Sequence, residues 1–248
     1  MFRTTRGLVL REVRYKEADR ILTVLTESDG RMTVKARGAL RKSSRTAAAT
    51  QLLCWSEMTL FQNKGRWTVN EASTIEEFKG LREDIAALAL AGYFAECLEA
   101  LTEEDVPDPP VLQLGLNSLY ALANRLFPPE RIKAAFEARL MCLAGYEPDL
   151  TTCAVCGAEN PTEPLFSIEN GVICCKNCRA AGFGESVRVT SGALEGLRYF
   201  CSADAKRLFS AVVEGEDAET LFNATERYFL RKAERKFGAL DYWKKVKG

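Results

Sequence analysis

The sequence predicts an α+β protein in which a small β-barrel precedes a helical bundle that carries an inserted metal-binding module. Three observations support this class. Strand-like runs fill the first 75 residues, helical periodicity replaces them after residue 78, and two Cys-x-x-Cys pairs interrupt the helical part. With 248 residues, 47% of them apolar, the chain has enough material for more than one domain. We place domains at residues 1–78, 79–150, 151–182 and 183–248.

Five strands are predicted in the first 75 residues. Residues 7–13 and 20–26 are rich in aliphatic and β-branched side chains, and the Asp-Gly pair in residues 27–30 favours a hairpin turn between strands. Residues 31–37 alternate, with Met32, Val34 and Ala36 on one face and largely basic side chains on the other. Residues 52–62 and 66–74 form a second hairpin around Asn63-Lys64-Gly65. This string fits a closed OB-fold barrel, and an SH3-like barrel fits it equally well.

Charge is segregated along the chain although its total is zero, with 34 Lys+Arg against 34 Asp+Glu. Residues 1–70 hold 14 basic and 6 acidic residues, whereas residues 79–150 hold 6 basic and 12 acidic ones. A basic front beside an acidic middle is the pattern expected when one module binds a polyanion. The alternative is an ordinary solvated surface.

The break between the two predicted hairpins is the most basic stretch. Residues 37–45, called the basic segment below, combine four cations with small, flexible residues. Such a loop beside a barrel face can follow a phosphate backbone. Four aromatic side chains are candidates for base stacking, although such a residue more often belongs to a core: Tyr15, Trp55, Phe61 and Trp67.

Helices are predicted after residue 78 from apolar side chains at helical spacing. They cover residues 81–101, 111–127, 128–144, 192–200, 204–213 and 217–237, and their stripes are most simply a bundle core. A Pro-rich break separates the first two. The acidic residues before it, Glu103 to Asp105 and Asp108, are interpreted as a solvated helix cap.

The cysteines predict a structural metal site. Cys153 and Cys156 form one Cys-x-x-Cys pair, and Cys175 and Cys178 form a second after an eighteen-residue spacer that is expected to be a hairpin. Four thiolates complete a tetrahedral Zn²⁺ shell, so we predict one structural zinc ion. Cys174 is an alternative ligand, but only Cys175 keeps the spacing to Cys178. The remaining cysteines are interpreted as core thiols: Cys54, Cys97, Cys142 and Cys201.

The composition excludes several classes of enzyme. The chain has no histidine, which removes Ser-His-Asp triads, Cys-His dyads and HExxH zinc sites. No GxxxxGK[ST] or GxGxxG motif is present, so nucleotide binding has no signal. Because these motifs are missing, we expect a protein that is not an enzyme. No apolar run approaches the length of a membrane span or a secretory signal, so we expect it to be cytoplasmic. A metal-dependent nuclease is a disfavoured rival.

Four stretches resemble the RecO recombination-mediator family of bacterial DNA repair. They are YKEADRILTVLT from Tyr15, KARGA from Lys35 with the cations that follow, YFAE from Tyr93, and FEARLMCLAGYEPDL from Phe136, which runs into the first cysteine pair. The resemblance implies an OB fold and a helical domain interrupted by a zinc module. It also implies binding of single- and double-stranded DNA, strand annealing, and help in loading RecA. Implied partners are RecR, RecF and the C-terminal tail of single-strand-binding protein, with the protein at the nucleoid.

Together these observations predict a protein that works by binding. The barrel face and basic segment would neutralise phosphates of complementary strands while base pairing supplies the sequence readout. The predicted DNA-binding residues are Arg14, Arg31, Lys35, Arg37, Arg41, Lys42, Arg45 and Trp67. The alternative is a zinc-ribbon adaptor that binds proteins without direct DNA contact.

Overall fold

The fold was analysed in a computed structural model that describes residues 1–179 and 182–247. Ala180 and Ala181 of the predicted metal module, and the terminal Gly248, lie outside the described residues. The chain forms two compact units, residues 1–124 with 237–248, and residues 125–236. We call them the barrel unit and the cysteine unit. The four-part domain division stays a prediction.

The first 76 residues form a closed five-stranded barrel. Its strands are β1 (Phe2–Tyr15), β2 (Asp19–Thr26), β3 (Gly30–Ala36), β4 (Trp55–Asn63) and β5 (Arg66–Glu76). The order around the barrel is β1-β2-β3-β5-β4, with β3 and β5 parallel and β1 pairing with both β2 and β4. The predicted N-terminal OB-like barrel is therefore confirmed. Only β1 differs much from its prediction, since it begins five residues earlier than residue 7.

Alternating side chains fill the barrel interior. On β3, Met32, Val34 and Ala36 are buried, whereas Thr33 is exposed, as the alternation predicted. The interior continues past the strand, because Ala39 at the start of the basic segment is only 1% exposed and belongs to the same core cluster. Burying this small side chain fastens the basic segment to the barrel.

Six α-helices lie within the described residues. They are α1 (Ile85–Leu101), α2 (Pro109–Ala123), α3 (Pro129–Leu143), α4 (Ser191–Ser202), α5 (Gly215–Ala233) and α6 (Gly238–Val246). The barrel unit contains α1, α2 and α6, and α6 packs along α1. Of the acidic residues interpreted as a helix cap, Asp108 caps α2, since its carboxylate accepts a hydrogen bond from Val111 N at 3.1 Å, whereas Glu104 pairs with Arg31.

The helix predicted over residues 204–213 is wrong. That stretch contains isolated turns, such as the 2.9 Å hydrogen bond from Arg207 N to Asp204 O. Leu208 and Phe209 are buried, but they are adjacent, and Val212 is 74% exposed. Two neighbouring apolar residues do not form the stripe that a packed helix requires. The helix predicted over residues 217–237 exists but extends four residues too far, because Glu234 takes a left-handed conformation that ends α5 at Ala233.

The cysteine unit combines α3, α4 and α5 with a four-stranded sheet. Its strands are β6 (Asp149–Cys153), β7 (Leu165–Ser167), β8 (Val172–Cys174) and β9 (Ser186–Arg188), in the order β6-β8-β7-β9. β7 and β8 are antiparallel, which confirms the hairpin predicted between the cysteine pairs.

A buried ion cluster lies between α3 and α5. Lys133 Nζ lies 2.8 Å from Glu137 Oε1 and 2.9 Å from Glu226 Oε2, and Thr225 donates to Glu137 at 3.2 Å. Burial alone would lower the pKa of Lys133, but the two carboxylates outweigh it and hold that pKa above its usual value. The charges therefore remain paired inside the bundle.

Candidate metal centre and nucleic-acid interface

The four cysteines selected by the Cys-x-x-Cys spacing come together in the cysteine unit. The Sγ atoms of Cys153, Cys156, Cys175 and Cys178 all lie within 4.8 Å of one another. Cys174 is fully buried in β8, in a small apolar cluster beside them, and is not one of the four. Alternation along β8 explains this difference, since neighbouring side chains of a strand point to opposite faces.

A tight turn in each Cys-x-x-Cys pair brings its two thiols to the same side of the chain, facing the other pair. After Cys153, the chain closes a turn in which Gly157 N donates to Cys153 O at 2.9 Å, and Gly157 has a φ of 75°, which favours glycine. After Cys175, Cys178 N donates to Cys175 O at 2.9 Å. The two knuckles also contact each other, because Cys175 N donates to the Cys153 sulfur at 3.3 Å.

These positions fit a tetrahedral metal shell. A Zn–S bond of about 2.3 Å implies sulfur–sulfur distances of about 3.8 Å in a regular tetrahedron. The Cys156 and Cys175 sulfurs are 3.9 Å apart, close to that spacing. All four donors are sulfur, so the set could hold zinc with no coordination position left for a substrate. A metal ion held by these four thiolates would therefore have a structural role.

The thiols differ in how readily they ionise. Burial opposes ionisation of Cys153, but backbone N–H groups of Cys156, Cys175 and Val155 overcome it and lower the pKa of Cys153 to about 6. Hydrogen bonding to the Cys156 sulfur, followed by burial, raises the pKa of Cys178 to about 12. A bound divalent cation would offset this difference between the pKa values of the thiols, because it favours the thiolate form of all four side chains.

The sheet around the metal centre is fastened to α5. The Phe166 and Tyr228 rings meet edge to face at 5.1 Å, and the Tyr228 hydroxyl donates to Tyr146 O at 2.8 Å. Lys232 Nζ donates to Glu169 O at 2.8 Å, in the turn between β7 and β8. These contacts join the sheet beside the four cysteines to α5, so the cysteine cluster is part of the packing of this unit.

Five of the predicted DNA-binding cations are exposed and free. Within residues 1–179 and 182–247, the side chains of these five make no ion pair or hydrogen bond. They are Arg14, Arg37, Arg41, Lys42 and Arg45. The strand register places Arg14 opposite Arg20, and Arg20 opposite Ala36. Because Ala36 ends β3, Arg14 and the start of the basic segment lie at the same end of the barrel. We call this end the basic end.

The other two predicted cations have partners. Arg31 lies 3.4 Å from Glu104 and donates from Nε to Thr102 O at 3.1 Å, while Lys35 Nζ lies 2.8 Å from Asp19 Oδ2. Glu104 is distant from Arg31 in the sequence, so its contact was missed. The Asp19 partner had a usable signal, since it lies across the β2–β3 hairpin from Lys35.

The four aromatic candidates for base stacking differ in their exposure. Trp55 is buried, and Trp67 is half-buried against the barrel core with Arg3 over its ring at 5.4 Å. Phe61 is exposed and stacks obliquely on Phe2 at 4.9 Å. Tyr15 is exposed, and it alone of the four lies among the free cations of the basic end.

Lys16 was missed by the sequence analysis. It lies in the turn between β1 and β2, with Nζ 5.6 Å from the Tyr15 ring centroid, and Lys35 Nζ lies 4.9 Å from the same centroid. Position in a turn next to Tyr15 was its only sequence signal. Lys16 adds another cation to the basic end of the barrel.

Among the helices of the described residues, none is long and apolar enough to span a membrane.

Comparison with known proteins identifies one family over most of the chain. The family model described as Recombination protein O N terminal matches residues 1–78, and the one described as Recombination protein O C terminal matches residues 82–241. The chain is 34% identical over 240 residues to the DNA repair protein RecO of Acetivibrio thermocellus, covering 97% of this chain and 95% of that protein. It is 31% identical over 239 residues to the DNA repair protein RecO of Symbiobacterium thermophilum, covering 95% and 94%.

Proposed function

This chain belongs to the RecO family, and from that premise we propose that it is a recombination mediator that binds DNA directly through the basic end of its barrel. Family membership supports a role in DNA repair and recombination. The finer activities we propose are binding of single- and double-stranded DNA, annealing of complementary strands, and help in loading RecA onto single strands coated by single-strand-binding protein. RecR, RecF and the tail of single-strand-binding protein are the proposed partners, at the nucleoid in the cytoplasm.

The observation that supports DNA binding is that five of the predicted cations, Arg14 and the four of the basic segment, are exposed and have no partner in the part of the chain that the structure describes. Unpaired cations bind phosphates without first breaking an ion pair, and each phosphate neutralised releases condensed counterions. The basic segment Arg37 to Arg45 contributes four of the five. Tyr15, exposed beside Lys16 and Lys35, is suited to stack a base next to them.

Annealing follows from the same chemistry with no covalent step. Two complementary strands repel each other through their phosphates, and cations on one protein surface reduce that repulsion while the bases pair. The double-stranded product is then bound through its backbone. We propose that Arg31 and Lys35 on β3 and Trp67 on β5 support the barrel that carries this surface, through their contacts with Glu104, Asp19 and Arg3.

We propose zinc as the metal of the cysteine centre. Zn²⁺ supplies no reaction here, and its chemistry when bound is to draw four thiolates into one closed shell. The four cysteines would hold it, and the contacts of Tyr228 and Lys232 would transmit that order to α5. One zinc per chain, measured by atomic emission after gel filtration, is the expected content.

The decisive experiment is fluorescence polarisation of a labelled single-stranded oligonucleotide across a salt series. Tight binding at low salt that weakens steeply with salt is expected, followed by annealing in the presence of single-strand-binding protein. Absence of binding even at low salt would favour the zinc-ribbon adaptor, which reaches DNA only through other proteins. Cleavage of the oligonucleotide on adding Mg²⁺ would favour a nuclease instead.

A further inference from the structure

The basic segment is held at both ends by two consecutive residues of β2. At its start, the Asp19 carboxylate accepts a hydrogen bond from Gly38 N at 2.8 Å. Just beyond its end, Arg20 Nη1 donates to Ala47 O at 3.1 Å and to Thr50 Oγ1 at 3.3 Å. The sequence predicts a flexible loop here, whereas in the structure side chains of β2 hold the chain at both ends of the basic segment.

Asp19 is the less expected of the two anchors because it is an acid inside a cationic surface. Its side chain is 18% exposed, with one oxygen on Gly38 N and the other 2.8 Å from Lys35 Nζ. The Lys35 interaction and the Gly38 hydrogen bond lower the pKa of Asp19, so the carboxylate stays ionised at neutral pH. Judged by Coulomb's law alone, this negative charge should weaken phosphate binding.

The backbone at this point explains what the carboxylate does. Gly38 has a φ of 64°, which turns the chain sharply as it leaves β3, and Arg41 N donates to Gly38 O at 3.0 Å in the following turn. Leu40 N donates to Ala18 O at 2.9 Å, beside Asp19. Asp19 is therefore the only described side chain that accepts a hydrogen bond from the turn at Gly38.

We propose that Asp19 is a positioning residue that orders the basic segment before DNA arrives, with Arg20 holding the far end. This inference rests on the proposed DNA binding. A disordered segment would have to lose its conformational freedom on binding, whereas an anchored one has already lost it on folding. The gain from order outweighs the repulsion between the Asp19 carboxylate and phosphate.

The two effects predict opposite results for one substitution. If positioning dominates, Asp19→Ala weakens binding to a single-stranded oligonucleotide by about 5- to 10-fold, the equivalent of one lost hydrogen bond. If charge dominates, the same change strengthens binding. Glu17→Ala is the matched control, because Glu17 is an exposed carboxylate two residues earlier that makes no hydrogen bond or ion pair among the described residues. This control should bind as tightly as the parent protein or more tightly.

A conservative variant separates positioning from general damage. Asp19→Asn keeps an oxygen that accepts from Gly38 N but removes the charge that faces Lys35. It should recover most of the affinity lost in Asp19→Ala. Melting temperatures of all three variants, measured in parallel, show whether the barrel remains folded.

Hydrogen exchange without DNA tests the anchor independently of the proposed function. Amides of residues 37–45 should exchange faster in Asp19→Ala than in the parent protein or Glu17→Ala. If the parent protein binds no DNA, the proposed function fails, and the exchange result still decides whether Asp19 orders the segment. Unchanged exchange, or an Asp19→Ala protein that binds DNA as tightly as Glu17→Ala, would overturn the inference.

Discussion

Replacing Arg37 and Arg41 together by Ala should flatten the salt dependence of DNA binding by a predictable amount. Five of the predicted DNA contacts are cations that lie exposed and unpaired among the described residues, and these five set the expected number of neutralised phosphates. At about 0.7 per phosphate on a single strand, log affinity should fall with log salt at a slope of about −3.5. Removing two of the five leaves a slope of about −2.1. Between 50 and 200 mM salt, the parent protein should then lose about 130-fold in affinity and the variant about 18-fold.

The assay is fluorescence polarisation of one oligonucleotide at four or more salt concentrations in that range. The matched control is Lys206→Ala with Arg207→Ala, which removes the same charge from two exposed side chains of the cysteine unit that make no ion pair or hydrogen bond within the described residues. The control should leave the slope near that of the parent, because neither side chain belongs to the cations proposed to contact phosphate.

An unchanged slope in the Arg37 and Arg41 variant would refute the reasoning, since those side chains would then not contact phosphate. Equal flattening in the control would refute it differently. It would show that net charge, and not the basic end of the barrel, determines binding.

Three further predictions concern stability. Removing the proposed zinc with a chelator should lower the melting temperature by on the order of 10 °C, while DNA affinity at 20 °C stays within about twofold of that of the untreated protein. A loss of affinity before any unfolding would contradict a structural role. Lys133→Met should lower the free energy of unfolding, measured in urea at pH 7, by roughly 3–5 kcal/mol, because it leaves buried carboxylates unpaired. Adding Glu137→Gln should recover part of this loss. A larger loss in the double variant would be inconsistent with that cause. Gly30→Ala should cost roughly 1–3 kcal/mol more than Gly65→Ala. Both glycines have positive φ, but a Cβ at Gly30 would lie 2.3 Å from Val106 O, whereas Gly65 has open space; equal costs would contradict the contact.

Local patterns predicted the elements that depend on neighbouring residues. Alternation on β3 and the Asp-Gly turn before it were sufficient to predict a β2–β3 hairpin, because side-chain period and turn chemistry act over a few residues. The helix predicted over residues 204–213 failed for the opposite reason. Its apolar residues had the spacing of a helix, but of these only Leu208 and Phe209 are buried in the structure.

Pairing between distant residues was beyond the sequence patterns. The choice between an OB and an SH3-like barrel was decided by β1 pairing with both β2 and β4 and by the parallel contact of β3 with β5. Nothing in a strand's own sequence specifies its neighbour across the barrel, since any alternating strand presents one apolar face.

The sequence by itself determined three of the four cysteines that meet, favoured Cys175 over Cys174 as the fourth, and located the stretch of chain that carries most of the free cations. Short spacers constrain the thiols directly, because two intervening residues form one turn. The tertiary structure alone decided which cations remain available. Arg31 is held by Glu104 and Lys35 by Asp19, while Arg37 and Arg41 are left exposed. Ion pairing depends on which charges the fold brings within a few ångströms of each other, and the local sequence pattern does not specify the distance between residues that are far apart in the chain.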